Sequence, residues 1–536
     1  DPHAPPMKNR PWPAYLVASL FACLAAFLAI FVTPPGDLPD ESGHYAYVVD
    51  MTKGRPLPLL GKAEIPPNLW RNIEGAEDHH RKNYIVQHPP LYYGVSAIPY
   101  AIVDKFTDDK RTLYRAPRLV SALSLGLLVF VLFRMLTFLG FAEGSALAGA
   151  SLVGFIPMVT HLASGISNDL FLTLMGALAT LYLVKYVVAG HIRHAYACAF
   201  WLACAGATKM TAWILIAAYV GILLFEMRKR GLLWIGHALA VSLLSVSSAL
   251  WWMRRNIYHF GDPFYIYGSH LKQKVFDYSL LDFFRQQPFF EWMMYHFYAL
   301  IGFSGYCQTP QTAEQVKRLC HGGKLFRVEG PSYWMFIALA LVCVLVLLVA
   351  ITRNAWLASG TRPEPKGWIN LQTWAASRLG NRSVRKLLFV LLFTIGIMGV
   401  AFALMNSHKP SWALTAMPLS VSFLLAFSGF MGLASVFTSD QPQARLTAYG
   451  PLLLTLFVAL LFYQGYKALL LTGASHGIQG RYLLPFVPLL LASFMLATQS
   501  LRYQAQLLFV VCLGMGWAYV NAYATYVLPF FQFVRI

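Results

Sequence analysis

Charge is what this sequence has little of. Asp, Glu, Lys and Arg make up 12% of its 536 residues, while 57% are hydrophobic; a soluble domain carries about 25% charged residues. That shortage excludes an ordinary soluble enzyme and any disordered or collagen-like chain. Acid is the scarcer sign, with 23 Asp and Glu against 42 Lys and Arg, a formal net charge of +19. Cysteine is sparse as well, at 7, and no Cys-x-x-Cys pair offers a metal or redox site. Recognition helices and zinc-ligand spacings are missing too, so the basic balance does not indicate nucleic acid. Cleavable signal-peptide features are lacking at the N-terminus; residues 1–6 read as a cloning scar ahead of Met7.

What is present is apolar sequence in blocks of membrane-spanning length, about 20 residues each. They fall at 14–33, 117–138, 146–166, 169–187, 195–209, 211–227, 232–252, 332–352, 387–405, 412–432, 448–471, 482–499 and 506–530. The expected fold class is therefore an all-α polytopic membrane protein of about thirteen transmembrane helices, with Pro99 and Pro157 interrupting apolar stretches. Clusters at Lys8 and Arg10, at Arg228-Lys229-Arg230, and from Arg353 to Lys386 orient the bundle with its N-terminus cytoplasmic. Two long loops, 34–116 and 253–331, then lie outside, yet the first holds ten Lys and Arg interleaved with similar numbers of acids and the second nine against fewer acids. External cations of this kind run against the positive-inside rule and point to an anionic ligand. Cys307 and Cys320 share the second loop and would form a disulfide if it faces an oxidising compartment; two unpaired thiols are the alternative.

The chemistry-bearing motifs gather at that same face. The first loop opens Pro34-Pro35-Gly36-Asp37-Leu38-Pro39-Asp40-Glu41-Ser42-Gly43-His44. Asp40 suits the N-cap of an interfacial helix with Glu41 in its first turn. It equally suits a general base, and the Asp40-Glu41 pair is compatible with a divalent metal. Gln87-His88-Pro89-Pro90-Leu91-Tyr92-Tyr93 follows, its prolines holding His88 extended. Arg115-Ala-Pro-Arg118-Leu-Val-Ser121, Ser167-Asn168-Asp169, Thr208-Lys209, Trp251-Trp252-Met253-Arg254-Arg255-Asn256, Gly261-Asp262-Pro263-Phe264 and Gln479-Gly480-Arg481-Tyr482-Leu483-Leu484-Pro485 complete the series. Cations within spans are expensive and are usually paired or functional, and Lys209 and Arg481 are the two deepest.

The order of these motifs resembles the GT-C superfamily, integral-membrane glycosyltransferases that use polyprenyl-phosphate-linked sugars and include protein O-mannosyltransferases and the lipid A aminoarabinose transferase. The Asp-Glu-x-x-His start and Gln-Gly-Arg-Tyr end are most similar to a bacterial branch of predicted membrane proteins of unknown function. The resemblance covers 14–270 well and the C-terminal half mainly at Arg481-Tyr482. It implies a GT-C-like bundle with interfacial helices in both external loops, residues 7–272 forming the catalytic core and 332–536 completing the site. Asp40 takes the position of the family's catalytic carboxylate, with Glu41 beside it. His88 stands where relatives carry Lys or His near the lipid phosphate. Arg118, Lys209 and Arg481 look like donor-phosphate contacts, and His44, Tyr92, Arg254, Arg255 and Tyr482 join them as candidate donor-binding residues. Because His88 is charged only part of the time at neutral pH, Arg81, Lys82 or Arg254 would supply the missing charge.

The implied activity is inverting transfer of a sugar from a polyprenyl-phosphate donor to an extracytoplasmic glycan, lipid or protein acceptor, with Asp40 as base. It needs no certain cofactor, and it places the chain in a bacterial inner membrane with the site on the periplasmic face. A transporter or flippase of lipid-linked saccharides would share the cations and spans, but calls for an internal repeat and midplane charges, which the sequence does not show.

Overall fold

The computed structural model describes residues 12–36, 38, 40–66, 81–231, 234–266, 278–286, 289, 293, 441–472, 479–499, 503–522 and 524. The spans expected at 332–352, 387–405 and 412–432, the Cys307–Cys320 pair and most of the second external loop lie outside these residues. The described chain is helical apart from one two-residue ribbon, β1 (Glu64–Ile65) paired antiparallel with β2 (Arg81–Lys82). It divides into two units, one holding the described residues up to 266 together with those from 503 onward, the other holding 278–293 and 441–499.

The first unit starts with α1 (Trp12–Phe27), prolonged by a π-turn to Val32. In the first loop lie α2 (Glu41–Thr52), a 3-10 turn (Tyr84–Gln87), α3 (Leu91–Val103) and α4 (Lys110–Arg115). There follow α5 (Arg118–Phe138), α6 (Glu143–Gly154), α7 (Pro157–Ala163), α8 (Asn168–Ala189), α9 (Ile192–Gly206), α10 (Ala212–Met227) and α11 (Ile235–Phe260). The second unit contributes α12 (Leu280–Gln286), α13 (Pro442–Thr472), a 3-10 turn (Gly480–Phe486) and α14 (Val487–Thr498). The last described helix, α15 (Gln504–Ala522), returns to the first unit and packs on α6.

Among the described residues six segments are long and apolar enough to cross a membrane: Trp12–Val32, Lys110–Phe138, Asn168–Ala189, Ile235–Phe260, Pro442–Leu471 and Gly480–Thr498. This is a multi-pass membrane protein. The block expected as one span at 146–166 is a broken one, α6 and α7 meeting at 70°. Pro157 is the cause: it fits the first turn of α7, where its missing N–H is not needed, and cannot continue α6. The blocks at 195–209 and 211–227 correspond to the shorter helices α9 and α10.

α5 is the centre of the first unit, packed by α1, α8, α6 and α7. Its Gly126 lets α1 come within contact of the backbone; a Cβ there would stand 2.7 Å from the Ala18 carbonyl oxygen. Close helix approach over small residues is how spans associate where lipid is as apolar as the side chains. Successive helices run in opposite directions, so the starts of α5, α8 and α10 and the ends of α9 and α11 meet at one end of the unit. The motif residues of the first half of the chain sit there.

A polar site at the heads of α2, α5 and α8

The site is built on a buried ion pair. Arg118, the first residue of α5, donates Nε–H to Glu41 Oε1 at 2.8 Å and an Nη2–H to Oε2 at 2.9 Å. Its other N–H groups go to the carbonyls of Ala29 at 2.8 Å, Thr33 at 2.6 Å and Pro34 at 2.7 Å. All five guanidinium donors are thereby engaged. Glu41 in turn also accepts from the backbone N–H of Ile166 at 3.0 Å and of Gly36 at 2.8 Å. Both side chains are fully buried. The pair fastens the end of α1, the head of α2, the head of α5 and the α7–α8 turn to one another.

All the Arg118 N–H groups expected at a donor phosphate are engaged within the protein, and the Glu41 oxygens are met by four N–H donors. The buried Tyr92 hydroxyl bonds Ser121 Oγ at 3.1 Å and ties α3 to α5. Among the described residues no group of three or more His, Cys, Asp and Glu side chains is placed to hold a metal ion.

Asp40 differs from its neighbour. It occupies the N-cap position of α2 but makes no side-chain cap bond, and its φ of 66° is left-handed. It is the one non-glycine residue with positive φ among the described residues, a conformation that Asp tolerates better than most side chains and that recurs at active sites. The carboxylate instead accepts a hydrogen bond from the Tyr84 hydroxyl. Tyr84 arrives on the 3-10 turn, whose N-cap Asn83 accepts from Ile85 N–H at 3.0 Å and donates to the Gly43 carbonyl at 3.0 Å. Gly43 makes that approach feasible: a Cβ there would meet Ile85 Cγ1 at 2.7 Å and Asn83 Oδ1 at 3.0 Å.

Around Asp40 stand the remaining polar groups. His44 Nδ1 is 2.9 Å from the Tyr93 hydroxyl, which also accepts from Asn168 Nδ2 at 3.1 Å. Tyr47 stacks on Tyr93 with ring centroids 3.9 Å apart and donates to the His88 carbonyl at 3.4 Å. Lys209, at the end of α9, donates to Asp169 Oδ1 at 2.5 Å, both side chains buried. The Pro89-Pro90 corner is tied to the same turn by Leu91 N–H, which donates to the Ala207 carbonyl at 3.0 Å. Trp252 of α11 donates Nε1–H to the Gln87 carbonyl at 3.1 Å, and Arg255 lies over that indole, 4.2 Å from its centroid, with Nη2 on the Pro58 carbonyl at 2.9 Å. Arg255 Nε has no hydrogen-bond partner, whereas Arg254 is exposed.

His88 is central to this group. Its buried Nδ1 has no hydrogen-bond partner. Burial, the Lys209 ammonium and the His44 ring push the imidazole well below its ordinary 6.5, against the opposite pull of Asp169 and Asp40. It is therefore neutral at pH 7, not partly charged. The cation nearest in influence is Lys209; Lys82 is instead paired with Glu64 across the exposed ribbon at 2.5 Å, and Arg254 points outward. Arg481 and Tyr482 belong to the second unit, where Arg481 is buried on the 3-10 turn with its guanidinium 5.8 Å from the Tyr482 ring.

Three participants were not singled out as site residues from the sequence. Asp169 stood in a motif noted for its position, and its pairing with Lys209 needed the fold. Tyr93 closes the His88-Pro89-Pro90 motif but its role needed the fold, and Tyr84 carries no local signal, since interfacial tyrosines are common in membrane proteins.

Residues 87–252 match the model of a family described as dolichyl-phosphate-mannose-protein mannosyltransferase. No curated protein matches the chain. Two crystal structures of ArnT from Cupriavidus metallidurans are similar at 14% identity. The apo form covers 91% of this chain and 78% of its own, with a TM-score of 0.32. The form bound to undecaprenyl phosphate covers 96% and 79%, with a TM-score of 0.35.

Proposed function

We propose that this chain is a membrane glycosyltransferase of the GT-C type that moves a sugar from a polyprenyl-phosphate donor to a hydroxyl of an extracytoplasmic glycan, lipid or protein, inverting the anomeric centre with Asp40 as general base. The observation that carries the reading is the strained, half-buried Asp40 carboxylate at the head of α2, braced by Tyr84 and surrounded by His44, His88 and the Lys209–Asp169 pair. The family model covers 87–252, the part of the chain that supplies His88, Asp169 and Lys209, and its description names a dolichyl-phosphate sugar.

The acceptor oxygen attacks the anomeric carbon as Asp40 takes its proton, and the bond from that carbon to the lipid phosphate oxygen breaks with its electron pair going to the phosphate. Negative charge grows on the leaving phosphate. Lys209 supplies a positive charge there, and neutral His88 supplies a hydrogen-bonding nitrogen already stripped of water. Asp169 holds the ammonium in place. Glu41 and Arg118 act at one remove, fixing the head of α2 so that Asp40 is presented at a constant position. The site would open on the periplasmic face of a bacterial inner membrane.

The reading is tested by incubating the purified protein with a panel of polyprenyl-phosphate sugars and measuring released polyprenyl phosphate. Release with at least one donor is expected. Movement of intact lipid-linked saccharide across a vesicle bilayer without release would replace the transferase reading by that of a transporter.

A further inference from the structure

At the opposite end of the first unit the chain collects cations that have no acidic ion-pair partner among the described residues. Arg134 lies on the last turn but one of α5, Lys185 on the last turn but one of α8, and Arg193 on the first turn of α9. Among the described residues no Asp or Glu forms an ion pair with any of the three. The charges acting on Lys185 are Arg134 and Arg193, both of its own sign. Its ammonium is half-buried between two rings from different helices, 5.0 Å from the centroid of Tyr182 and 5.7 Å from that of Phe138. Tyr182 continues to His194 at 6.3 Å, and His194 to His191 at 5.8 Å.

Helix electrostatics account for part of this. Cations at the C-terminal ends of α5 and α8 complement the helix dipoles, but Arg193 stands at the N-terminal end of α9, where a positive charge opposes the dipole. Three like charges converging without an ion-paired acid among the described residues make a surface complementary to an anion. The neighbouring surface says what kind. Leu123, Leu127, Arg134 and Phe138 are exposed along one face of α5, spaced at helical intervals so that an apolar stripe ends at the guanidinium. From Arg118 to Arg134 the helix rises about 24 Å, which puts this cluster near the far boundary of a hydrocarbon core about 30 Å thick. A charged head at Arg134, Lys185 and Arg193 with acyl chains along Leu127 and Leu123 is the shape of a phospholipid.

We propose that the ends of α5 and α8 and the start of α9 bind the phosphodiester headgroup of an anionic phospholipid, in the leaflet opposite Asp40. The site is independent of the transferase reading. Its occupant is a lipid and not a soluble phosphate, because the apolar stripe continues the cationic one.

The test is native mass spectrometry of the full chain released from micelles containing phosphatidylglycerol or phosphatidylcholine. Wild-type protein should retain phosphatidylglycerol in preference to phosphatidylcholine. R134Q, K185Q and R193Q should each weaken that retention about fivefold, and the triple variant should lose the preference. Inorganic phosphate at equal concentration should displace nothing. Equal retention of the two lipids by wild type, an unchanged preference in the triple variant, or displacement by inorganic phosphate would each overturn the proposal. Thermal midpoints in phosphatidylcholine should match between wild type and variants. If the triple variant does not fold, R134Q and R193Q, at exposed positions, carry the test alone.

Discussion

Adjacent residues in the first loop have opposite fates. Glu41 is buried, bonded on every side and structural; Asp40, one residue earlier, is half-buried, backbone-strained and held by a tyrosine. Their sequence position shows only an acid pair at a helix start, which does not tell the two apart. The difference comes from Arg118, 77 residues away, whose five donors need a carboxylate and three carbonyls that only the folded chain assembles. Removing one partner of such a pair leaves a buried charge uncompensated, at a cost of about 3–5 kcal/mol. Arg118→Ala should therefore fail to give folded protein, or lower its thermal midpoint in detergent sharply. A folded variant with ordinary stability and weakened donor binding alone would return Arg118 to the phosphate site. His88 allows a second check at this scale. Buried neutral, with its folded value pushed below the ordinary 6.5, it binds a proton more readily in the unfolded chain. Its contribution to stability is complete above that ordinary value and declines as pH falls below it. The thermal midpoint of wild type should drop between pH 7.5 and pH 5.5 by more than that of His88→Gln; equal drops would mean that His88 is not buried neutral.

Helix existence was readable at the scale of elements, because apolar blocks and proline punctuation report it directly. The start of α8 at Asn168, the break at Pro157 and the short helices of the first loop all follow from local chemistry. Close approaches were not readable, since a glycine shows no partner until the chain is folded. Gly43 is the clearest case: it brings the Asn83-Tyr84-Ile85 turn against α2 and so delivers Tyr84 to Asp40. Gly43→Ala should push that turn away and loosen the carboxylate. A hydrogen bond to a charged group contributes about 1.5–3 kcal/mol, so turnover should fall roughly tenfold to a hundredfold while donor affinity stays near wild type. Tyr84→Phe, which leaves the backbone alone, should reproduce the loss. Normal turnover in both variants would remove the tyrosine from the account.

For the whole molecule Lys and Arg outnumber Asp and Glu by 42 to 23, and the fold separates the described cations by use. Near Asp40, Arg118 and Lys209 are each matched to a buried acid; at the other end Arg134, Lys185 and Arg193 have no ion-pair partner among the described residues. A count of charges could not make that distinction, because pairing depends on helix ends far apart in the chain. The gathering of the first-half motifs at one end was legible from alternating spans and loop charge, and the antiparallel helices of the first unit bring those motifs together. Donor lipid bound to purified protein should be consumed in a single turnover by wild type, releasing polyprenyl phosphate. Asp40→Asn, which keeps size and removes the base, should bind the donor with similar affinity and release the lipid at least a hundredfold more slowly. Release at the wild-type rate by that variant would contradict the assignment of Asp40 as the base.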